Sequence, residues 1–509
     1  MNHIIVYDLG TTSVKVSLFN QLLQRVSYSI EEYTLLTPDS VRVELDPTIY
    51  WNACICGTKH VIQKSNVDVR DIQAISISTQ GETLIPIDKN GHPLSNAIVW
   101  FDVRASEQAK ALSSKVDKQK YFRITGLPEL NSANPICKLM WIKEHSPHIY
   151  ENTYKFLLLE DYIIFKLTSE IVTEATNASS SGYFNTRENT IWHEGLNLAG
   201  IDADKIPTVV QSGTPVGYIT AAAAAVMGLS TSTMVYAGAN DQICSAVGSG
   251  NISPGIISET TGTSLVVAST ASELPDTNPY NVTFSRHVDN LFLMLSYATT
   301  AGIIFKWFKE NFCENEIRLC HEKKESVYAY LGQCADKISR GSNGLLLIPT
   351  FSGKLSPEIH ENAKGVFFGV NVSHTKPHFI RSIFEGVGYM LQENLEIAYR
   401  LCGEPSLIYS CGGGAKSPVW CQIKSDISGK NIATIEDESS SVGAAIIGAV
   451  SEGWYTNIHQ ACNVGVKVVN HYAPNAAGME IYKKLYDRYV YISKSVLPVF
   501  QYDSMNRYN

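Results

Sequence analysis

"VYDLGTTSVKVSLF", residues 6–19, is the stretch that decides how this chain begins to fold. Ile4 and Val6 lead into it, and Val14, Val16 and Leu18 follow at alternate positions. That pattern predicts two strands of a half-buried hairpin. Apart from Leu9, residues 8–13 are polar or glycine, with no Asn-Gly or Asp-Gly pair to make a minimal turn. Gly10, Thr11, Thr12 and Ser13 offer closely spaced N–H groups and hydroxyls, the donor-rich nest that suits a phosphate. Asp8 beside them suits a phosphate only if a divalent cation lies between, which points to Mg²⁺ held directly or through water. A tight turn whose polar groups bond locally is the competing reading.

The same phrase returns half a chain later. "DLGTTSVKVS" (8–17) and "ETTGTSLVVAS" (259–269) each run from an acid through Gly-Thr and serine into a β-branched strand. The echo predicts two similarly built domains facing each other. It adds Gly262 and Thr263 as a second phosphate turn, because a nucleoside triphosphate in a cleft needs contacts from both walls.

With 509 residues the chain is too long for one core and long enough for two large domains. Its 41 basic and 49 acidic residues give a net charge of −8. That balance argues against a general nucleic-acid or anionic-membrane partner. No apolar run reaches the about 18 residues of a membrane span. The N-terminus has no basic leader region, so the expected location is cytoplasmic. Eleven cysteines are scattered without a CxxC pair, which fits reduced thiols and argues against structural zinc.

Further along, Val41–Leu45 reads as a third extended piece. Asp46 and Pro47 predict a helix start at "DPTIYW". "AISIST" (74–79) reads as a buried strand, and "ICKLMWIKEH" (136–145) and "LLLEDYIIFKL" (157–167) as helices. The clearest helix carries a stripe from Ile380 to Leu401 and ends at Gly403. Gly386 and Gly388 within it imply close approach of another backbone. Residues 406–429 run strand, glycine turn, helix, with Gly429 as the stop.

Several further segments carry chemistry. In "VYAGANDQICSAVGSG" (235–250), Asp241-Gln242 falls where a helix begins, so Asp241 is either a helix cap or a carboxylate at a cleft floor. In "ISTQGETLIPID" (77–88), Gln80, Gly81 and Glu82 could hold a polyol by directional hydrogen bonds; an ordinary polar loop is the alternative. "VWFDVRA" (99–105) adds Trp100, Asp102 and Arg104, suited to a sugar or to a structural ion pair. "SCGGGAKSPVW" is not a P-loop, because Ala415 and Ser410 stand where that pattern needs glycine. Its glycines still leave bare backbone for a ribose or base. "SVGAAIIGAV" (441–450) packs under that site or is simply a close helix contact.

Taken in order, these segments resemble the FGGY carbohydrate kinase family over nearly the whole chain. "ANPICKLMWIKEH" is similar to a family signature with Lys138, Trp141 and Glu144 in register, although Ala133 departs from it. "AGANDQ" resembles the catalytic-aspartate segment and "TTGTS" the second phosphate loop. The run from "GLLLIPTFSGKLSPEI" to "SIFEGVGY" resembles the long second-domain signature, and "GGGAKSPVWCQIKSDISGK…ESSSVGAA" the adenosine segment. The resemblance implies an α/β fold: two RNase H-like domains of the actin and hexokinase superfamily around a central cleft. Residues 1–248 would bind sugar and residues 249–509 ATP.

Carried over by position, Asp241 is the general base and Asp8 helps place Mg²⁺. Gly10, Thr11, Thr12, Ser13, Gly262 and Thr263 flank the phosphates, and Gly413, Gly414 and Ala415 the adenosine. Gln80, Gly81, Glu82, Asp102 and Gln242 hold the acceptor. The implied reaction is transfer of the ATP γ-phosphoryl group to a hydroxyl of a ketose, polyol or related sugar. The layout is nearest to xylulokinase-like members, although "TQGET" lacks their Gln-Met-His run and has Gly81 where glycerol kinases carry arginine. A non-sugar ATPase or a non-catalytic metabolite binder on the same scaffold are the alternatives, and a homodimer is left open.

Overall fold

The computed structural model describes residues 2–436 and 438–505, the last three of these by backbone only. Its first strand, His3–Leu9, pairs antiparallel with Ser13–Asn20 through the expected turn, with Asp8 opposite Lys15. Ser13–Asn20 pairs antiparallel with Arg25–Glu32, and His3–Leu9 pairs parallel with Ile72–Thr79. Met234–Tyr236 and Pro215–Tyr218 extend this seven-stranded sheet, in which Ala239–Asn240 also pairs with Ile72–Thr79.

A second seven-stranded sheet repeats the plan. Ile256–Thr261 pairs antiparallel with Leu265–Ala271, which pairs with Phe292–Ala298. Parallel strands Leu407–Cys411 and Ile432–Ile435 follow on the other side. Each sheet therefore has three antiparallel strands and then parallel ones, the RNase H-like order. The echo in the sequence marks the first hairpin of each.

The opening hairpin is not half-buried. Ile4, Ile5, Val6 and Tyr7 are all 0% exposed, so both faces of the first strand are covered. One cover is the helix Pro47–Ser65, capped as expected by Asp46, whose Oδ1 accepts from Thr48 N at 2.9 Å. The other is Ser439–Ser451, from the far end of the chain, which packs on His3–Leu9 and Ile72–Thr79. Its residues join Ile4, Val6, Ile243, Leu293 and Leu295 in one apolar cluster bridging the two sheets.

Where Ser439–Ser451 crosses Asp241–Gly248, the backbones touch. A Cβ on Gly443 would stand 1.8 Å from the Cys244 carbonyl oxygen, and one on Gly248 1.8 Å from that of Ser439. Close helix packing is thus what the small-residue run provides, and it locks together helices far apart in sequence. Gly386, within Lys376–Cys402, meets the Leu347 backbone as expected, whereas Gly388 makes room for the Ile427 side chain and not for another backbone.

Two other expectations are corrected. Of Val41–Leu45, only Glu44–Leu45 is strand, in a separate four-stranded sheet. The third strand of the main sheet is Arg25–Glu32, whose Val26, Tyr28 and Ile30 face outward while Ser27 and Ser29 are buried. "LLLEDYIIFKL" divides into the end of strand Lys155–Leu158 and helix Leu159–Thr168. Among the described residues no helix is long and apolar enough to cross a membrane.

Candidate active site

The carboxyl-end tips of both sheets and the loops beside them meet in a cleft. At the first hairpin the backbone curls so that Gly10 N donates to Ser13 O at 3.0 Å, while the Tyr33 hydroxyl donates to Gly10 O at 2.5 Å. Thr11, Thr12 and Ser13 keep exposed surface. Asp8 lies just below them, 7% exposed. Its Oδ1 accepts from Ser78 Oγ at 3.1 Å, and its Oδ2 from Ser440 Oγ at 2.9 Å, with Lys15 Nζ 3.5 Å from Oδ2. Ser440 comes from the late helix, so both halves of the chain converge on this carboxylate.

Asp241 begins the helix Asp241–Gly248 but does not cap it. Asn240 is the cap, its Oδ1 accepting from Gln242 N at 3.0 Å. That choice releases the Asp241 carboxylate, whose Oδ1 accepts from Gln242 Nε2 at 3.2 Å. Burial at the cleft floor, then the negative charge of Asp8, push the Asp241 carboxyl up to about 7; the Gln242 amide opposes the rise and Glu82 adds to it. A carboxylate poised near neutral pH can accept a proton from an attacking hydroxyl.

The loop of residues 80–82 is held from behind by Lys138. This side chain is 0% exposed and donates to Glu82 O at 2.8 Å, Val99 O at 3.0 Å and Trp100 O at 3.3 Å. Burial lowers the Lys138 pKa, but three carbonyl acceptors use all three N–H bonds of an ammonium, so the geometry fits the charged form. The Glu82 backbone sits at φ +57°. Burial raises the Glu82 carboxyl pKa, opposed by the Ser180 hydroxyl and the Lys138 charge. Trp100, also on this wall, donates from Nε1 to Thr11 Oγ1 at 3.0 Å, joining its loop to the first hairpin turn.

Two of the expected acceptor ligands are buried away from solvent. Gln80 is 5% exposed, with Nε2 3.5 Å from the Tyr50 hydroxyl. Asp102 is 0% exposed, and its oxygens are occupied by Arg104 Nε at 2.8 Å, Arg104 Nη2 at 2.7 Å and Val43 N at 2.6 Å. Asp102 therefore braces the Trp100 loop, the structural ion pair weighed above, and offers no free oxygen to the cleft.

On the second wall, Gly262 O accepts from Gly302 N at 2.8 Å and Thr263 O from Ala301 N at 2.9 Å, which seats this turn on the start of helix Gly302–Phe312. Gly413, Gly414 and Ala415 form a short helical turn beside it. A Cβ on Gly414 would lie 2.6 Å from the Thr261 Cβ, so only glycine allows this approach. Beneath, Lys424 Nζ reaches Glu259 Oε1 and Thr261 Oγ1, each at 2.7 Å, with both Lys424 and Glu259 at 0% exposure.

Tyr297 was not foreseen. It stands on Phe292–Ala298, a second-domain strand whose sequence reads simply as core. Its phenol pKa is raised by burial and then by the Asp241 and Glu82 carboxylates. Lys15 and Ser180 were also missed, since neither spacing nor pattern marks them.

A Gly-Thr turn on each sheet and the Asp241 carboxylate are the kind of groups that phosphoryl transfer uses. Comparison with known proteins agrees. Residues 3–248 match the N-terminal domain, and residues 257–452 the C-terminal domain, of the FGGY family of carbohydrate kinases. The chain is 30% identical to the xylulose kinase of Bacillus subtilis (strain 168) over 498 residues, 96% of each chain. It is 28% identical to the gluconokinase of Bacillus licheniformis over 499 residues, 97% of this chain and 96% of that one. It is also similar to the crystal structure of ligand-bound xylulose kinase from Lactobacillus acidophilus, with TM-score 0.88, 25% identity, and 97% and 98% of the two chains covered. The chain belongs to the FGGY family of carbohydrate kinases, enzymes that move a phosphoryl group from ATP to a sugar hydroxyl.

Proposed function

We propose that the acceptor is a neutral ketose of the xylulose kind and that Asp241 takes the proton from its attacking hydroxyl. The observation that carries this reading is the release of Asp241 from capping by Asn240, which leaves a carboxylate poised near neutrality between Asp8 and Glu82. Glu82, Gln242 and Tyr297 would face the acceptor, with Gln80 and Gly81 forming the loop beneath. The name of the xylulose kinase relative supports a ketose, that of the gluconokinase points to a sugar acid, and two carboxylates in the pocket disfavour the acid. Residues 1–248 serve as the acceptor domain and 249–509 as the nucleotide domain. The reaction is assigned to the cytoplasm, where ATP is held.

Gly10, Thr11, Thr12 and Ser13 on one side, and Gly262 and Thr263 on the other, bind phosphate oxygens through N–H groups and hydroxyls. Gly413, Gly414 and Ala415 lie against the adenosine. Asp8 fits a hard divalent cation in its chemistry: a carboxylate flanked by the Ser78 and Ser440 hydroxyls supplies the oxygen donors that Mg²⁺ favours. When bound, Mg²⁺ would neutralise charge developing on the transferred group. The chain's own part is to align the two substrates, exclude water, and accept the proton at the Asp241 carboxylate.

A coupled ADP-release assay with Mg·ATP against ketopentoses, ketohexoses, polyols and aldonic acids tests this. Turnover with a ketose that disappears in Asp241→Asn supports it. Unchanged turnover in that variant removes Asp241 from its role. Preference for an aldonic acid overturns the acceptor class.

A further inference from the structure

Behind the Asp241 segment lies a buried polar cluster that no step above uses. Glu160 and Glu174 are each 0% exposed, and among the described residues neither makes an ion pair with a lysine or arginine. Glu160 Oε1 accepts from Gly238 N at 2.6 Å, and its Oε2 accepts from the Asn177 amide. Glu174 Oε2 accepts from Thr176 N at 2.8 Å, Thr176 Oγ1 at 2.6 Å and Asn177 N at 3.1 Å; its Oε1 accepts from Ser212 Oγ at 2.8 Å.

The cluster then reaches forward. Asn240 N donates to Thr176 Oγ1 at 2.8 Å, and Asn240 Nδ2 lies 3.4 Å from Asn177 Oδ1. Asn240 in turn caps Gln242 N. The strip that carries Asp241 is therefore tied at Gly238, at Asn240 and, through the cap, at Gln242. The acceptor loop meets the same cluster: a Cβ on Gly81 would sit 2.9 Å from Asn240 Nδ2 and 3.2 Å from Ser180 Oγ.

Stability alone does not account for this arrangement. Two buried carboxylates without basic partners are expensive, and apolar side chains would fill the space at lower cost. Burial and mutual repulsion raise the Glu160 pKa, as expected of acids confined together. What the cluster achieves is placement: it fixes a glycine-rich strip, Gly238–Ala239–Asn240, that has few side chains of its own to hold it.

We propose that Glu160, Glu174, Thr176 and Asn177 form a positioning bracket that acts through Asn240 to set the Asp241 carboxylate against the acceptor hydroxyl. The proposal rests on the reading of Asp241 as the base. Misplacement of a reacting group by about 1 Å can lower the rate about 100-fold. The bracket touches neither nucleotide loop, so nucleotide binding should not depend on it.

The test compares Thr176→Val and Thr176→Ser in the full chain, measuring kcat, both KM values, the melting temperature, and MgADP binding by calorimetry. Thr176→Val removes the oxygen that Asn240 N reaches while keeping the shape; Thr176→Ser keeps the oxygen. The expected result is a kcat about 100-fold lower in Thr176→Val, with MgADP affinity unchanged, and near-normal kcat in Thr176→Ser. Normal kcat in Thr176→Val, or equal loss in both variants, overturns the bracket. Should Thr176→Val fail to fold, Ser212→Ala, which loosens Glu174 from a half-buried site, should lower kcat several-fold at constant MgADP affinity; normal kcat there overturns the proposal. If Asp241→Asn keeps full turnover, the base assignment falls and the bracket with it. If Asp241→Asn is inactive and Thr176→Val is not, only the bracket falls.

Discussion

Replacing Asp241 by asparagine should make the free protein more stable, by an amount that depends on pH. The Asp241 carboxyl is pushed from its ordinary 3.8 up to about 7, first by burial and then by Asp8. In the unfolded chain the proton leaves near the ordinary value; in the folded protein it stays until near neutrality. Between those values the folded state binds more protons, so stability falls as pH rises through the window, and the full penalty is present above pH 7. At roughly 1.4 kcal/mol for each pH unit the ceiling is about 4 kcal/mol. Because Asp241 is half-buried, water in the open cleft reduces that to about 2–4 kcal/mol.

Asparagine has nearly the same shape and carries no charge. Thermal unfolding of the ligand-free wild type and Asp241→Asn should therefore agree near pH 4 and diverge by several degrees at pH 8. The scale is about 2–4 °C per kcal/mol for a domain of 150–250 residues. The variant that loses turnover is the one that melts later, as expected where function keeps a strained group in place. An Asp241→Asn protein no more stable than wild type at pH 8, or a gap that ignores pH, would refute this account.

Other consequences can be checked alongside. The acid limb of kcat/KM should break near pH 7, because the base works only when deprotonated; a flat profile from pH 5 to 8 contradicts it. Lys138→Met should raise the acceptor KM and leave the ATP KM alone, since Lys138 ties the Glu82 and Trp100 carbonyls and touches neither phosphate turn. Lys424→Ala strands the buried Glu259 charge and should cost about 3–5 kcal/mol in urea unfolding, whereas a Lys424→Met, Glu259→Gln pair should cost much less. Gly443→Ala forces a methyl group onto the Cys244 carbonyl and should lower the melting temperature more than Gly453→Ala, although the alanine at 453 would be strained by the positive φ there.

The sequence showed the hairpin, the repeat and the glycine turn of residues 411–415 because each is local: β-branched residues on either side of a polar turn identify themselves. Arg25–Glu32 was missed because its face pattern is inverted, with Val26, Tyr28 and Ile30 outward and two serines inward. The double burial of His3–Leu9 was not readable because one cover comes from Ser439–Ser451, more than four hundred residues away. Whether Asp241 or Asn240 caps the helix cannot be read from "AND", since both residue types cap well and only the chain path decides. Asp102 was legible in part: its pairing with Arg104, two residues on, is readable in the sequence, whereas its bond from Val43 N comes from a distant segment. Tyr297 gave no sign because an inward tyrosine in an apolar strand looks like any core residue.

The repeat also shows how one plan yields two different walls. In each half, an acid near the end of the first strand precedes a Gly-Thr turn. Asp8 meets hydroxyls from Ser78 and Ser440 and the Lys15 ammonium at 3.5 Å. Glu259, in the second half, is sealed and paired with Lys424, also contacting Ser410 and Thr261. That acid ties the strand Ile256–Thr261 to the helix Pro418–Ser428 behind the glycine turn. The unpaired carboxylates of the cleft, Asp241 and Glu82, both belong to the first half as well, while the second contributes N–H donors and the Tyr297 phenol. An anionic nucleotide would find the least repulsion against the second wall, and a neutral polyhydroxyl acceptor the most hydrogen-bond acceptors on the first. The two halves thus differ in how these acids are partnered, Glu259 by a buried lysine and Asp8 by two hydroxyls and the partly exposed Lys15.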